Sequence, residues 1–118
     1  MESGKQKQEI ETLAGEIKGV QKILTALGDE TRQHLILIML SNGDCTGMRV
    51  NNIAEKTNLS RPAVSHHLQI LKDAEIVKMR REGAKNYYFF NTDMDALSRL
   101  ISMLQHAKDI MLELPDKS

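Results

Sequence analysis

The chain of 118 residues predicts a mainly α protein with a small β-hairpin, in the order α-α-α-α-β-β-α. Three observations carry this. Hydrophobic content is 41%, mostly Leu, Ile, Ala, Val and Met, with only 3% aromatic residues, a mixture that favours helices over a sandwich or barrel. Apolar residues recur at steps of three and four near both ends of the chain. Only after Ile76 does the pattern change, and there Tyr87, Tyr88, Phe89 and Phe90 hold every aromatic residue.

Residues 1–8 are polar and read as a frayed terminus, ahead of one domain spanning residues 9–114. Ile10, Leu13, Ile17, Val20, Leu24 and Leu27 form a stripe on a first helix over about 9–27. Gly15 and Gly19 weaken that helix, so it relies on a partner surface. Asp29 is a good N-cap for a second helix, with Glu30 in its first turn. Residues 35–40 are apolar all round, which predicts a central position for that helix. Residues 41–44, Ser-Asn-Gly-Asp, stop it.

A third helix runs from about Val50 to Thr57 with Ile53 and Ala54 inward. After the turn Asn58-Leu59-Ser60, Ser60 caps a fourth helix, and Pro62 is tolerated in its first turn because N–H groups there lack intrahelical partners. Residues 50–74 thus read as a helix-turn-helix. Residues 76–91 read as two strands around Glu82-Gly83, a hairpin with a basic tip. Thr92 opens the last helix, about 93–114, with Asp95 as capping-box partner. Leu97, Leu100, Ile101, Leu104, Ile110 and Met111 supply its apolar positions, and Pro115 ends it.

The formal net charge is zero, 16 basic against 16 acidic residues, but its distribution is uneven. Residues 60–85 carry Arg61, Lys72, Lys78, Arg80, Arg81 and Lys85 against Asp73, Glu75 and Glu82, whereas both ends of the chain are acidic. A DNA-facing patch flanked by acidic helices has this distribution, and so does an ordinary solvated surface. On the fourth helix, at 100° per residue, Val64, Leu68 and Leu71 face inward. Ser65, His66, Gln69 and Asp73 face outward, with Arg61, Pro62 and Lys72 near the edges. Arg, Gln and His can address base edges in a major groove that admits one helix. Lys78, Arg80, Arg81 and Lys85 on the hairpin would grip the sugar-phosphate backbone, adding affinity and salt dependence more than sequence choice. Ser60 and the free N–H groups behind it suit a phosphate. His67 borders the apolar arc and reads as a partly buried histidine, with DNA contact as the alternative.

With these residues in place the chain resembles the arsenic-repressor (ArsR/SmtB) family. The resemblance rests on Leu27-Gly28-Asp29-Glu30-Thr31-Arg32, on the run from Ile53 to Ala74 with Ser65-His66-His67-Leu68 inside it, and on Arg80-Arg81-Glu82-Gly83 followed by Tyr87-Tyr88. It covers roughly residues 20–112. It implies a winged helix-turn-helix homodimer joined through its first and last helices, binding double-stranded operator DNA as a repressor that an effector releases. A longer MarR-like regulator, or an activator, is the neighbouring alternative.

The effector is unknown. Arsenic sensors of the family carry a Cys-x-Cys pair, and the matching positions here are Arg49 and Asn51. Cys45 lies upstream and reads as an incidental thiol, with a redox or thiol-reactive role as the alternative. Zinc and cobalt sensors of the family place ligands on the last helix. Asp93, Asp95, His106 and Asp109 fall on a comparable spacing, so a regulatory metal is one reading and no required cofactor the other. Acids at a helix start and a surface pair at i, i+3 explain the same residues. A single cysteine, no Gly-rich phosphate loop and no HExxH-type pair argue against an enzyme. The lack of a secretory or membrane-spanning segment predicts a cytoplasmic protein without a membrane partner.

Overall fold

The computed structural model describes residues 2–43 and 46–115, so Cys45 lies outside the described residues. Among the described residues six helices and three short strands follow in the order α1 (Glu2–Gly19), α2 (Gln21–Leu27), α3 (Glu30–Asn42), β1 (Met48–Arg49), α4 (Val50–Glu55), α5 (Arg61–Asp73), β2 (Val77–Glu82), β3 (Lys85–Phe90) and α6 (Asp95–Leu112).

The expected first helix is two. The chain breaks at Val20, whose φ of −115° and ψ of 17° leave the helical region, immediately after Gly19 removes side-chain support. The break lets Val20, Ile23 and Ala26 enter the core while α1 runs on outside it. Helix also extends back to Glu2 over the polar stretch expected to lie outside it, because Lys, Gln and Glu are good helix formers and α1 lies along α6.

Asp29 caps α3 as expected, its carboxylate accepting the N–H of Thr31 at 2.7 Å and of Arg32 at 3.2 Å. The Arg32 N–H first of all, helped by the Thr31 N–H and the Arg32 charge, holds that carboxyl below its ordinary value of 3.8 against the opposing effect of burial. The apolar run of α3 is not wholly central: Leu35 and Met39 are buried, but Leu37 and Leu40 are more than half exposed. A helix docked along one side buries only one arc, whatever its composition.

The hairpin forms around Gly83-Ala84, one residue later than expected, with Glu82 opposite Lys85 and Val77 opposite Phe90. Gly83 takes the positive φ of 62° that so tight a connection needs. The strand β1 was not foreseen. It pairs Met48 with Tyr88 and Arg49 with Tyr87, giving a sheet ordered β1-β3-β2. Gly47 makes this approach feasible, since its φ is 96° and a Cβ there would stand 2.8 Å from the Tyr88 carbonyl oxygen.

The fully buried centre is Leu35, Ile53, Val64, Leu68, Leu71 and Val77, which includes the three inward positions expected of α5. Thr92 does not cap the last helix. Asn91 accepts the Asp93 N–H, Asp93 accepts the Asp95 N–H, and helix begins at Asp95. Two successive Asx turns do the work expected of a capping box.

The molecule measures 61 × 29 × 23 Å with a radius of gyration of 18.4 Å, against about 13–14 Å for a closed domain of this length. Ile10 on α1, Ile101, Leu104, Met111 and Leu112 on α6, and Leu114 beyond it are all more than half exposed.

Candidate nucleic-acid interface

The turn between α4 and α5 is built from short-range bonds. Thr57 Oγ1 donates to the Ala54 carbonyl and accepts the Leu59 N–H, and Ser60 Oγ accepts the Ala63 N–H at 3.3 Å. Ser60 is therefore committed to capping α5, with Pro62 in the first turn. The buried arc of Val64, Leu68 and Leu71 fixes the helix's rotation. That rotation leaves Arg61, Pro62, His66 and Gln69 exposed and Ser65 and Lys72 half-buried. Gln69 Nε2 donates to Asp73 Oδ1 at 2.8 Å, which holds the amide along the helix and keeps its oxygen free as an acceptor.

His67 turns the other way. Arg32 is only 7% exposed and joins three elements. Its Nε donates to the Ala26 carbonyl at 2.9 Å, its Nη2 to the Thr25 carbonyl at 2.8 Å, and its Nη1 lies 3.2 Å from His67 Nδ1. A guanidinium only donates, so in this contact His67 Nδ1 is the accepting atom. This is the partly buried histidine expected from the sequence. Through it, the end of α2 and the start of α3 anchor the helix that faces outward.

The hairpin cations do not stand alike. Arg80 Nε pairs with Glu82 at 2.7 Å, its Nη2 donates to the Thr46 carbonyl at 2.8 Å, and its guanidinium lies over Tyr87 and Phe89 at 5.1 and 5.7 Å. It is thus half-buried against its own sheet. Arg81 Nε donates to the Gly83 carbonyl at 3.0 Å across the turn. Lys78 and Lys85 are exposed.

The four acidic and histidine positions considered for a metal do not converge within a protomer. Asp93 and Asp95 are occupied by the start of α6, where Asp95 also pairs with Arg99 at 3.2 Å. His106 and Asp109 lie about 16 Å or more further along the axis. His106 Nδ1 lies 2.8 Å from both carboxylate oxygens of Glu16 on α1, and Asp109 accepts from Gln105 at 2.9 Å. Among the described residues no group of three or more His, Cys, Asp or Glu side chains could hold a metal ion. No described helix is long and apolar enough to cross a membrane.

The model of the bacterial regulatory protein, arsR family, matches residues 29–79, from the cap of α3 through β2. The transcriptional repressor SdpR of Bacillus subtilis is 37% identical over 87 residues, covering 72% of this chain and 92% of the repressor. The chain belongs to the arsR family of bacterial regulatory proteins. Solved arsR-type structures share its architecture. The homodimeric winged helix-turn-helix DNA-binding domain from Mycobacterium bovis has 27% identity, a TM-score of 0.58 and coverage of 89% of this chain and 92% of that one. An ArsR-like regulator from a Rhodococcus species, at 20% identity and a TM-score of 0.64, covers 84% of this chain and 88% of its own, a likeness of fold alone. In this arsR-family chain the matched segment contains the capping Asp29, the Arg32 anchor and the whole outward face of α5.

Proposed function

We propose that the chain is a cytoplasmic homodimeric repressor whose α5 enters the major groove of operator DNA while the β2–β3 hairpin lies along the backbone. The observation that carries this reading is the polar face of α5. A buried arc and an arginine anchor hold that helix rigidly, yet Arg61, His66 and Gln69 stand open to solvent. A protein-binding version of this fold would present an apolar or acidic face here. A helix this exposed fits a groove about 12 Å wide. The proposed DNA contacts are Arg61, Pro62, Ser65, His66, Gln69 and Lys72 from α5, with Arg81 and Lys85 from the hairpin. Ser60 contributes the cap that starts the helix, and Arg80 braces the hairpin against its aromatic face.

The dimer follows from shape and surface together. One protomer is too extended to close a core of its own around α1 and α6, and the apolar residues of that pair are open. A second copy laid against them would bury these side chains and set two α5 helices side by side. Two-fold symmetry then demands an imperfect palindrome with half-sites about one helical turn, roughly 34–36 Å, apart.

A gel-shift titration against the DNA upstream of its own gene tests the reading. Saturable binding there, far tighter than to an unrelated duplex, is the expected result. Arg61→Ala and Gln69→Ala should each remove discrimination at particular base pairs, by about 1–3 kcal/mol. Equal affinity of the wild type for every duplex would refute specific recognition.

A further inference from the structure

We infer that the start of α4 is part of the DNA-binding surface, and that Arg49 with Arg61 and Lys85 forms a cleft for backbone phosphates of the operator. The inference rests on the reading of α5 as the groove-entering helix and extends it to Arg49 at the β1–α4 junction, a residue outside the outward face of α5 and the hairpin.

A cleft of about 490 Å³ opens where three elements meet. Arg49 and Asn51 come from the β1–α4 junction, Arg61 and Ser65 from the first turns of α5, and Lys85 and Asn86 from the far side of the hairpin turn. No carboxylate lines it. Arg49, Arg61 and Lys85 have no ion pair or side-chain hydrogen bond within the described residues, in contrast to Arg80, which spends its charge on Glu82 and two aromatic rings. Three cations without an acidic partner among the described residues, set around one concavity, repel each other, and a polyanion relieves that repulsion. Asn51 adds a second sign of an unfilled site. Its Oδ1 is buried with no hydrogen-bond partner, the sole such atom among the described residues. A buried polar atom of this kind is unusual, and it sits on a residue that lines the cleft.

The occupant is DNA rather than a small anion because of where the cleft lies. Arg61 and Ser65 belong at once to the cleft and to the face of α5, so a phosphate held there is continuous with a duplex whose groove receives that helix. The sheet decides this arrangement. Pairing of Arg49 with Tyr87 on β3 ties the start of α4 to the strand that carries Lys85.

The test is fluorescence anisotropy with the operator duplex and an unrelated duplex between about 50 and 200 mM salt. Each phosphate contact contributes roughly 0.9 to the slope of log affinity against log salt. Arg49→Ala should therefore weaken binding to both duplexes, and its gap from wild type should close about 3.5-fold across that fourfold salt range. Arg49→Lys should keep the wild-type slope. Lys85→Ala, on the opposite wall, should reproduce the loss and guards against a fold defect in the Arg49 variant. Wild-type affinity and slope in Arg49→Ala, whatever Lys85→Ala does, would overturn the inference while leaving recognition by α5 intact. A wild-type protein that binds no duplex would instead defeat the parent reading. Inorganic phosphate competing with DNA more strongly than chloride at equal ionic strength would also overturn it, by making the cleft a small-anion site.

Discussion

Replacing Arg32 by Met keeps the unbranched stem of the side chain and removes every side-chain donor. Ala26 is fully buried, so its carbonyl loses a charge-assisted bond with no route for water to replace it, at a cost of about 1–3 kcal/mol. Thr25 is exposed and His67 half-buried, so their acceptors rehydrate in part and lose about 0.5–1 kcal/mol each. Against this, the variant no longer has to desolvate a guanidinium, and the Met methyl and sulfur add apolar burial worth about 1 kcal/mol. The net destabilisation is about 1–4 kcal/mol. With an unfolding entropy of about 2.1 cal/mol/K per residue, or roughly 0.25 kcal/mol/K for the whole chain, Tm should fall by about 4–16 °C. Thermal unfolding followed by far-UV circular dichroism reads this directly, at one protein concentration because dimerisation contributes to Tm. Arg32→Lys should recover less than half the loss, since one ammonium cannot span acceptors on two elements. A fall below about 3 °C for Arg32→Met would refute the claim that this residue anchors α5 through buried acceptors.

Two further predictions concern the sheet and the α1–α6 pair. Gly47→Ala should destabilise the protein by about 2 kcal/mol or more, because the new Cβ would meet the Tyr88 carbonyl at 2.8 Å in a backbone conformation that already disfavours side chains; an unchanged urea midpoint would contradict the tight β1–β3 approach. The hydrogen bond from Glu16, and then its charge, hold His106 above the ordinary histidine value of 6.5. A raised value means the pair contributes fully below pH 6.5 and is lost as pH rises through the titration of the folded protein. The His106 ring signal followed by NMR should thus titrate above 6.5 and move down in Glu16→Gln, and coincident titrations in the two proteins would show that the pair does not form in solution.

Most of the recognition surface was legible in the residues themselves because it is local. The N-caps at Asp29 and Ser60, the period that separates Val64, Leu68 and Leu71 from His66 and Gln69, and the strand pattern after Ile76 depend on neighbours within a few positions. Helical and strand geometry convert such spacings into faces without help from the rest of the chain. The division of the first helix was not legible because that choice is not local. The stripe from Ile10 to Leu27 is continuous in sequence, yet the helix divides at Val20 because α1 follows α6 while α2 enters the core. At the last helix the competition was local: Thr92 and Asp95 fit a capping box, but the Asx turns of Asn91 and Asp93 took the backbone N–H groups.

What the sequence by itself determined, then, is which residues α5 offers to solvent and where its helix begins, since both follow from short-range periodicity and capping. Only the tertiary structure decided which cations are free. Arg80 and Arg49 look equivalent as isolated residues, and the sequence presented Arg49 and Asn51 solely as positions lacking a thiolate pair. Pairing of β1 with β3, allowed by Gly47, carries Arg49 to a cleft with Arg61 and Lys85, while Glu82 and the Tyr87 and Phe89 rings hold Arg80. The hairpin itself holds Arg80, but the gathering of Arg49, Arg61 and Lys85 around a cleft without a carboxylate depends on segments far apart along the chain that only packing brings together.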